Sequence, residues 1–318
     1  MTKFNLSLLF AGLLAVGVSV SPAHAQLSRT FVSSFGNDAN DCNRATPCRT
    51  FARAYLNTLP NGEITVLDPG GYGSVSIFSS VSIINDGVGE AGVLVSGGGI
   101  GITVNAAVND HVNLRGLTVK GIGFGGGNGI RHVSGFLTIE NCAVRNHTGD
   151  GIQMNGFLGA NDQSTLVLSN TIVTDNGGNG IFLQPDGAGL LNVVVNRTEI
   201  YNNKAHGLGI NSNGTALIRG AVIDSVSASN LLDGFVAGAV ALTAFARLDI
   251  IRSVAYANGG RGAHADGPGA SVVLSQNMMV ANSVGGSNNS WGFTNGGQAI
   301  SYGDNVGGGN ASGMFQKQ

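Results

Sequence analysis

The sequence predicts an all-β fold, a single-stranded parallel β-helix of about 27 residues per coil, closed at its N-terminal end by a short helix. Two observations carry this. An asparagine recurs four residues before a glycine at Asn176/Gly180, Asn203/Gly207, Asn230/Gly234, Asn258/Gly262 and Asn288/Gly292, with the glycines 27, 27, 28 and 30 residues apart. Within each unit lie three short apolar segments and no helical periodicity. A period in this range marks a solenoid, in which each unit stacks on the next. The series extends back through Gly151, Gly129 and Gly101.

Taken in order, Met1–Asn5 carries one lysine, Leu6–Val20 is apolar, and Ala23-His24-Ala25 has the small–any–small pattern of a signal-peptidase site. Residues 1–25 are therefore expected to be an export signal, leaving a periplasmic or secreted protein. The competing reading, an uncleaved anchor, is disfavoured because the apolar run is short for a membrane span and the cleavage pattern follows it directly. No later segment offers a span. The remaining residues, about 290, suffice for one large all-β domain. Charged residues make up 11%, against about a quarter in ordinary domains, and Gly is abundant at 52; the regular aliphatic residues nonetheless argue for a continuous core rather than disorder. A net charge of −2 gives no support to nucleic acid or an anionic membrane as partner.

Residues 26–60 read as the N-terminal cap. Cys42 and Cys48 lie close together in a turn-rich segment, and an oxidising compartment favours a small disulfide loop there. Zinc competes, but two thiols without a nearby histidine pair make a poor site. Cys142 follows an apolar strand pattern and is expected to be a buried, unpaired thiol. Phe51, Ala54 and Tyr55 fall at helical spacing after Thr50, an N-cap residue, so a short helix is expected to cover the open end of the core before Glu63–Leu67 begins the first strand. The solenoid is expected over 61–300. The Gly- and Asn-rich segment 301–318 reads as a loose final turn, and with the helical cap it argues against open-ended stacking and for a monomer.

The unit from Ser164 illustrates the coil. Thr165–Leu168 is a strand, Ser169-Asn170 a bend, Thr171–Val173 a second strand, Asp175–Asn179 a turn and Gly180–Leu183 a third strand. Alternation turns Ile181 and Leu183 inward and Phe182 outward, and likewise buries Ile152, Met154, Leu208 and Ile210. Asn tolerates left-handed backbone and can bond along a stack, so Asn176, Asn203, Asn230, Asn258 and Asn288 are assigned structural roles, as are Cys42 and Cys48.

At this point the chain resembles the right-handed parallel β-helices of the pectin-lyase-like superfamily, specifically small exported bacterial repeat proteins. The residues that carry the resemblance are Phe35-Gly36-Asn37-Asp38, Cys42 to Pro47-Cys48-Arg49-Thr50-Phe51, Gly62–Asp68 and the Asn-x-x-x-Gly coils. The fold hosts pectate lyases, polygalacturonases, alginate epimerases, phage tailspikes and proteins without known activity. The acidic calcium cluster of the lyases is missing, so calcium is possible as a cofactor but unsupported. Ala205-His206-Gly207 is similar to a Gly-His-Gly segment of the hydrolases, but their paired aspartates are absent. The Asp-Pro-His motif of the epimerases is absent too, and Gly259–Ala263 continues with His264 where a calcium nonapeptide needs Asp.

Two columns remain. The residue before the recurring glycine is Asn128, Asp150, Asn179, His206, Asp233 and Arg261 on successive coils. Asp150, His206 and Asp233 are therefore the catalytic candidates, a histidine among carboxylates on one edge, against the alternative of a solvated turn that takes any polar residue. Two residues beyond the glycine stand Arg131, Gln153, Phe182, Gly209, Val236 and His264. With Arg261, the side chains Arg131, Gln153, Phe182 and His264 are the ligand-binding candidates, against an ordinary exposed sheet face. The sequence favours a non-catalytic protein binding glycan or another cell-envelope component; the alternative is a polysaccharide lyase or glycoside hydrolase acting on an acidic polysaccharide.

Overall fold

The computed structural model describes residues 26–122, 126–239, 241, 243–284, 287–288, 290–307 and 315–317. The export signal expected over 1–25 lies outside them. The chain winds as a right-handed parallel β-helix, and the described strands form three stacked sheets of twelve, ten and nine strands. Each coil gives one strand to each sheet: Gln163–Ser169 to the first, Ile172–Thr174 to the second and Ile181–Leu183 to the third. The next coil repeats this with Leu190–Asn196, Glu199–Tyr201 and Leu208–Ser212. Register is strict, with Ile181 opposite Leu208 and Leu183 opposite Ile210. Ile152, Met154, Ile181, Leu183, Leu208 and Ile210 fill the core, while Gln153 and Phe182 are half-buried on the outer face. Alternation places them so, because successive strand side chains point to opposite faces.

The bends explain the polar residues. Between the first and second sheets, Asn141, Asn170, Arg197, Asp224, Arg252 and Gln276 take positive φ of 46° to 56°. The residue that follows accepts a hydrogen bond from the equivalent amide of the preceding coil. Ser225 Oγ accepts from Thr198 N at 3.1 Å, Ser253 Oγ from Ser225 N at 3.2 Å, Asn277 Oδ1 from Ser253 N at 2.9 Å and Asn305 Oδ1 from Asn277 N at 2.8 Å. Between the second and third sheets the device repeats. Asn146, Asp175, Asn202, Ser229, Ala257 and Ala281 take positive φ, and a buried asparagine follows from Asp175 onward. Asn176, Asn203, Asn230, Asn258 and Asn282 form the ladder, each Oδ1 accepting from the previous coil's backbone N at 3.1 to 3.2 Å.

The recurring glycine answers the asparagine of the following coil. A Cβ added to Gly180, Gly207 or Gly234 would stand 2.8 Å from the Nδ2 of Asn203, Asn230 or Asn258 respectively. The Asn-x-x-x-Gly signature is thus a packing pair across coils rather than a turn within one.

At the last full coil the ladder member is Asn282 and not Asn288. Asn258 N and Nδ2 donate to Asn282 Oδ1 at 3.1 and 2.9 Å. Asn288 pairs instead with Ser283 in a short antiparallel hairpin inserted in the turn. That insertion displaces the register, so Ala263 lies opposite Trp291, and Ser290 rather than Gly292 takes the place of the glycine.

The cap follows the sequence in its helix and disulfide. Cys42 and Cys48 are bonded and buried, with Cα atoms 4.6 Å apart. The helix is Phe51–Leu56; Thr50 Oγ1 accepts from Arg53 N at 3.1 Å, and Phe51 and Ala54 are buried. Asp38 fixes its start by accepting from Arg49 N at 2.8 Å, Thr50 N at 2.9 Å and Thr50 Oγ1 at 2.9 Å. The first strand is not at Glu63, however. Leu27–Val32 precedes the helix and pairs with Thr58–Val66, covering the edge that would otherwise open the first sheet. At the other end, Gln298–Ser301, Val306–Gly307 and Phe315–Lys317 extend the first and second sheets where a loose final turn was expected. Cys142 is a free, buried thiol whose pKa burial pushes up to about 11.

A titratable side chain also occupies an inward strand position. His132 occupies an inward position opposite Met154, fully buried, with Nε2 3.1 Å from Gly135 O and Nδ1 without a partner among the described residues. Burial lowers its pKa to about 4.

Two predictions follow from this packing. Asn230→Ala removes the acceptor of Asn203 N and Nδ2 and should cost about 3 kcal/mol, given about 1–3 kcal/mol per stranded buried group, whereas Asn288→Ala should cost far less; urea unfolding compares them. Equal losses would contradict the ladder assignment. Because His132 is depressed in the folded state, the unfolded chain binds its proton first as pH falls. Its contribution is complete above about pH 6.5 and is lost towards pH 4, at about 3 kcal/mol. His132→Met should flatten that acid limb of the stability–pH curve.

Candidate functional site

The column before the third-sheet strands is a third ladder. Asn128 Oδ1 accepts from Asp150 N at 2.8 Å, Asp150 Oδ1 from Asn179 N at 2.7 Å and Asn179 Oδ1 from His206 N at 3.0 Å. His206 Nδ1 then accepts from Asp233 N at 3.1 Å, and Asp233 Oδ1 from Arg261 N at 2.6 Å. Here the side chain of one coil receives the amide of the next, the reverse of the asparagine ladder. The requirement at this position is an acceptor, which Asn, Asp and neutral His all supply.

What each residue has left over decides its chemistry. Asp150 is buried, and its second oxygen takes Gln153 Nε2 at 3.1 Å. It stands two coils from His206 and does not reach it. His206 spends its Nδ1 lone pair on the ladder, so its proton sits on Nε2. Burial pushes its pKa below the ordinary value against the pull of Asp233, with His264 adding to the lowering. Asp233 retains a free Oδ2, 7% exposed overall, and that oxygen is where the candidates converge. His264 Nδ1 lies 2.9 Å from it and His206 Nδ1 3.5 Å. Burial alone would raise the Asp233 pKa, but the His264 hydrogen bond and charge, the Arg261 amide and His206 outweigh it and hold the carboxyl below its ordinary value.

The network continues outward. His264 Nε2 is 2.9 Å from Thr294 Oγ1, and Thr294 Oγ1 donates to Asp266 Oδ1 at 2.5 Å. Asp233, His264 and Thr294 come from three successive coils, brought together by the register that sets Gly238 opposite Asp266 and Asp266 opposite Thr294. Nδ1 of His264 faces Asp233 Oδ2, and the Thr294 hydroxyl, which sits between Asp266 Oδ1 and His264 Nε2, can donate to either. When the ring holds one proton, on Nδ1, the Thr294 hydroxyl turns to Nε2. The imidazole can therefore exchange a proton at Nε2 while Asp233 holds its orientation. His264 is half-buried, its side chain 12% exposed, on the outer face of the third sheet between buried Ala263 and Ala265.

The other ligand-binding candidates do not join it. Arg131 Nε donates to Asn155 Oδ1 at 2.9 Å, and Gln153 accepts from Asn128 Nδ2 at 2.8 Å. Phe182 lies over Gly209, where a Cβ would come within 3.0 Å of its ring. Arg261 reaches across Gly292. Sequence reasoning missed Thr294 and Asp266; their only signal is cross-coil register, in which the inserted hairpin hides the Asp266–Thr294 pairing. Among the described residues no group of three or more His, Cys, Asp or Glu side chains is arranged to hold a metal ion, and no helix is long and apolar enough to cross a membrane.

A solved pectate lyase, Pel9A, superposes with a TM-score of 0.57 at 16% identity, covering 91% of this chain and 79% of that one. The chain shares the right-handed parallel β-helix fold of that lyase. The A-module of the Azotobacter vinelandii mannuronan C-5 epimerase AlgE6 gives 0.36 at 14% identity over 80% of this chain and 88% of the module. A rhamnogalacturonan lyase gives 0.35 at 12% identity over 72% and 82%. No protein-family model matches the chain, and no curated protein matches it with significance. At these identities the likeness is one of coil architecture.

Proposed function

We propose that the protein acts on an acidic polysaccharide as a lyase, with His264 as the proton-transfer group and Asp233 as the residue that orients it. The observation that supports this most directly is the half-buried imidazole on the outer face of the third sheet, held by a carboxylate at Nδ1 and by a rotatable hydroxyl at Nε2. In a uronate the C5 proton lies α to the carboxylate and is the acidic one. His264 Nε2 takes that proton, the C4–O bond breaks, a C4–C5 double bond forms, and the departing oxygen is protonated in turn. Elimination suits the site better than hydrolysis, because both oxygens of Asp233 are committed to Arg261 N and His264 and no free carboxylate pair flanks an open space. A pectate lyase is built on the same fold. The Cys42–Cys48 disulfide supports an exported location, periplasmic or secreted.

A second reading, a non-catalytic protein binding glycan or another envelope component, is favoured by a separate observation: both oxygens of Asp233 and both ring nitrogens of His264 already have partners. Turnover separates the two. Purified protein is incubated with polygalacturonate, alginate and a neutral glucan, with and without calcium, and the ultraviolet absorbance of unsaturated products is followed. The lyase reading expects product from an acidic polymer, with His264→Gln lowering kcat at least about a hundredfold and His206→Gln within about tenfold of the parent. No product from a folded protein leaves the binding reading standing, and unchanged turnover in His264→Gln removes His264 from the chemistry.

A further inference from the structure

On coils at least two rungs from that of His264, a cleft of about 590 Å³ opens between the second sheet and the turn that follows it. Lys120, Ile122, Asn146, Thr148, Asp175 and Lys204 line it. Lys120 is half-buried and Lys204 exposed, and neither forms an ion pair or side-chain hydrogen bond among the described residues. Arg145 stands beside Lys120 on the adjacent rung, with its Nε buried and without a hydrogen-bond partner. The cleft's carboxylate, Asp175, accepts from Thr174 Oγ1 at 3.0 Å. With Arg145 beside the cleft, and Glu90 lining the adjoining lobe, three cations stand against two carboxylates in a chain where acidic residues number 18 and basic ones 16. Unpaired cations around one concavity focus attraction on anions.

A second lobe of about 540 Å³ shares Lys120 and Ile122 with the first and adds Leu94. Leu94 and Ile122 are 47% and 46% exposed there, beside the bare backbone of Gly70, Gly71 and Gly92. Lys120 and Lys204 belong to coils three rungs apart, roughly 14 Å along the axis at about 4.8 Å per rung. That spacing makes the two lysines separate subsites along one extended polymer, and the aliphatic lobe offers a surface for the C–H faces of sugar rings.

We infer that the two lobes form a binding track for an anionic glycan, with Lys120 and Lys204 as subsites for its carboxylate or sulfate groups. The inference takes its ligand class from the proposed function but concerns different residues and is read by binding alone. Affinities of the full protein for polygalacturonate, dextran sulfate and neutral dextran are measured by titration calorimetry at low and high salt. The expected result is salt-sensitive binding of a polyanion, no binding of dextran, and at least a tenfold loss in the Lys120→Gln/Lys204→Gln double variant. Arg219→Gln, which removes an exposed cation from the first sheet, should stay within twofold. Preference for polygalacturonate identifies carboxylate as the group read, and preference for dextran sulfate identifies sulfate. Parent-like affinity in the double variant, an equal loss in Arg219→Gln, or no polyanion binding overturns the track. Each variant is melted thermally, and the single lysine variants replace the double one if it unfolds. Turnover with unchanged binding in the lysine variants would sink this inference alone; lysine-dependent binding without turnover would sink only the lyase reading.

Discussion

Each coil turns its backbone sharply at two bends, and the amides inside those bends have no strand to pair with. Side-chain acceptors that reach one coil along the axis satisfy them. Three such ladders run down the molecule: Thr198 N to Ser225 through Asn277 N to Asn305 at one bend, Asn176 to Asn282 at the other, and Asn128 to Asp233 at the entry to the third sheet. A buried amide left without its partner costs about 1–3 kcal/mol, so each missing rung weakens the stack even where the aliphatic core is intact. Glycine follows from the same constraint, since the close approach of Asn230 leaves no room for a Cβ at Gly207.

The candidate site grows out of a ladder. A carboxylate serving as a rung acceptor needs only one oxygen, and Asp233 is a rung whose second oxygen meets an imidazole from the next coil. Asp150, the other acidic rung, gives its second oxygen to Gln153 and acquires no such partner. His206 shows the opposite economy: as a rung it must present a lone pair, which fixes its tautomer and removes it from base chemistry at Nδ1. Position in a structural column therefore limits which side chains remain available for function.

Much of the coil is legible in the sequence because its signals are periodic. Ile181, Leu183, Leu208 and Ile210 follow from alternation, and Thr50 with Phe51 and Ala54 from helical spacing. The acceptor column was visible as a row of polar residues, but its shared property was hidden because Asn, Asp and His look unlike one another while accepting alike. The last coil was misread by two residues, since the Ser283–Asn288 hairpin lengthens the turn. A two-residue slip keeps inward and outward faces correct, so nothing in the alternation reveals it. It does change cross-strand partners: aligning Gly292 with Gly262 sets Thr294 opposite His264, whereas the structure sets it opposite Asp266, and the Asp266–Thr294 pair is what the slip hides. Contacts between coils about 30 residues apart are set by register, which composition does not carry.

Native-state hydrogen exchange at single-amide resolution tests the ladders most directly. The account predicts that the amides of Asn176, Asn203, Asn230 and Asn258, though they lie in turns, exchange as slowly as the strand amides of Val193 and Val195. Exchange of those four at the rate of exposed turn amides, with the strands protected, would contradict it.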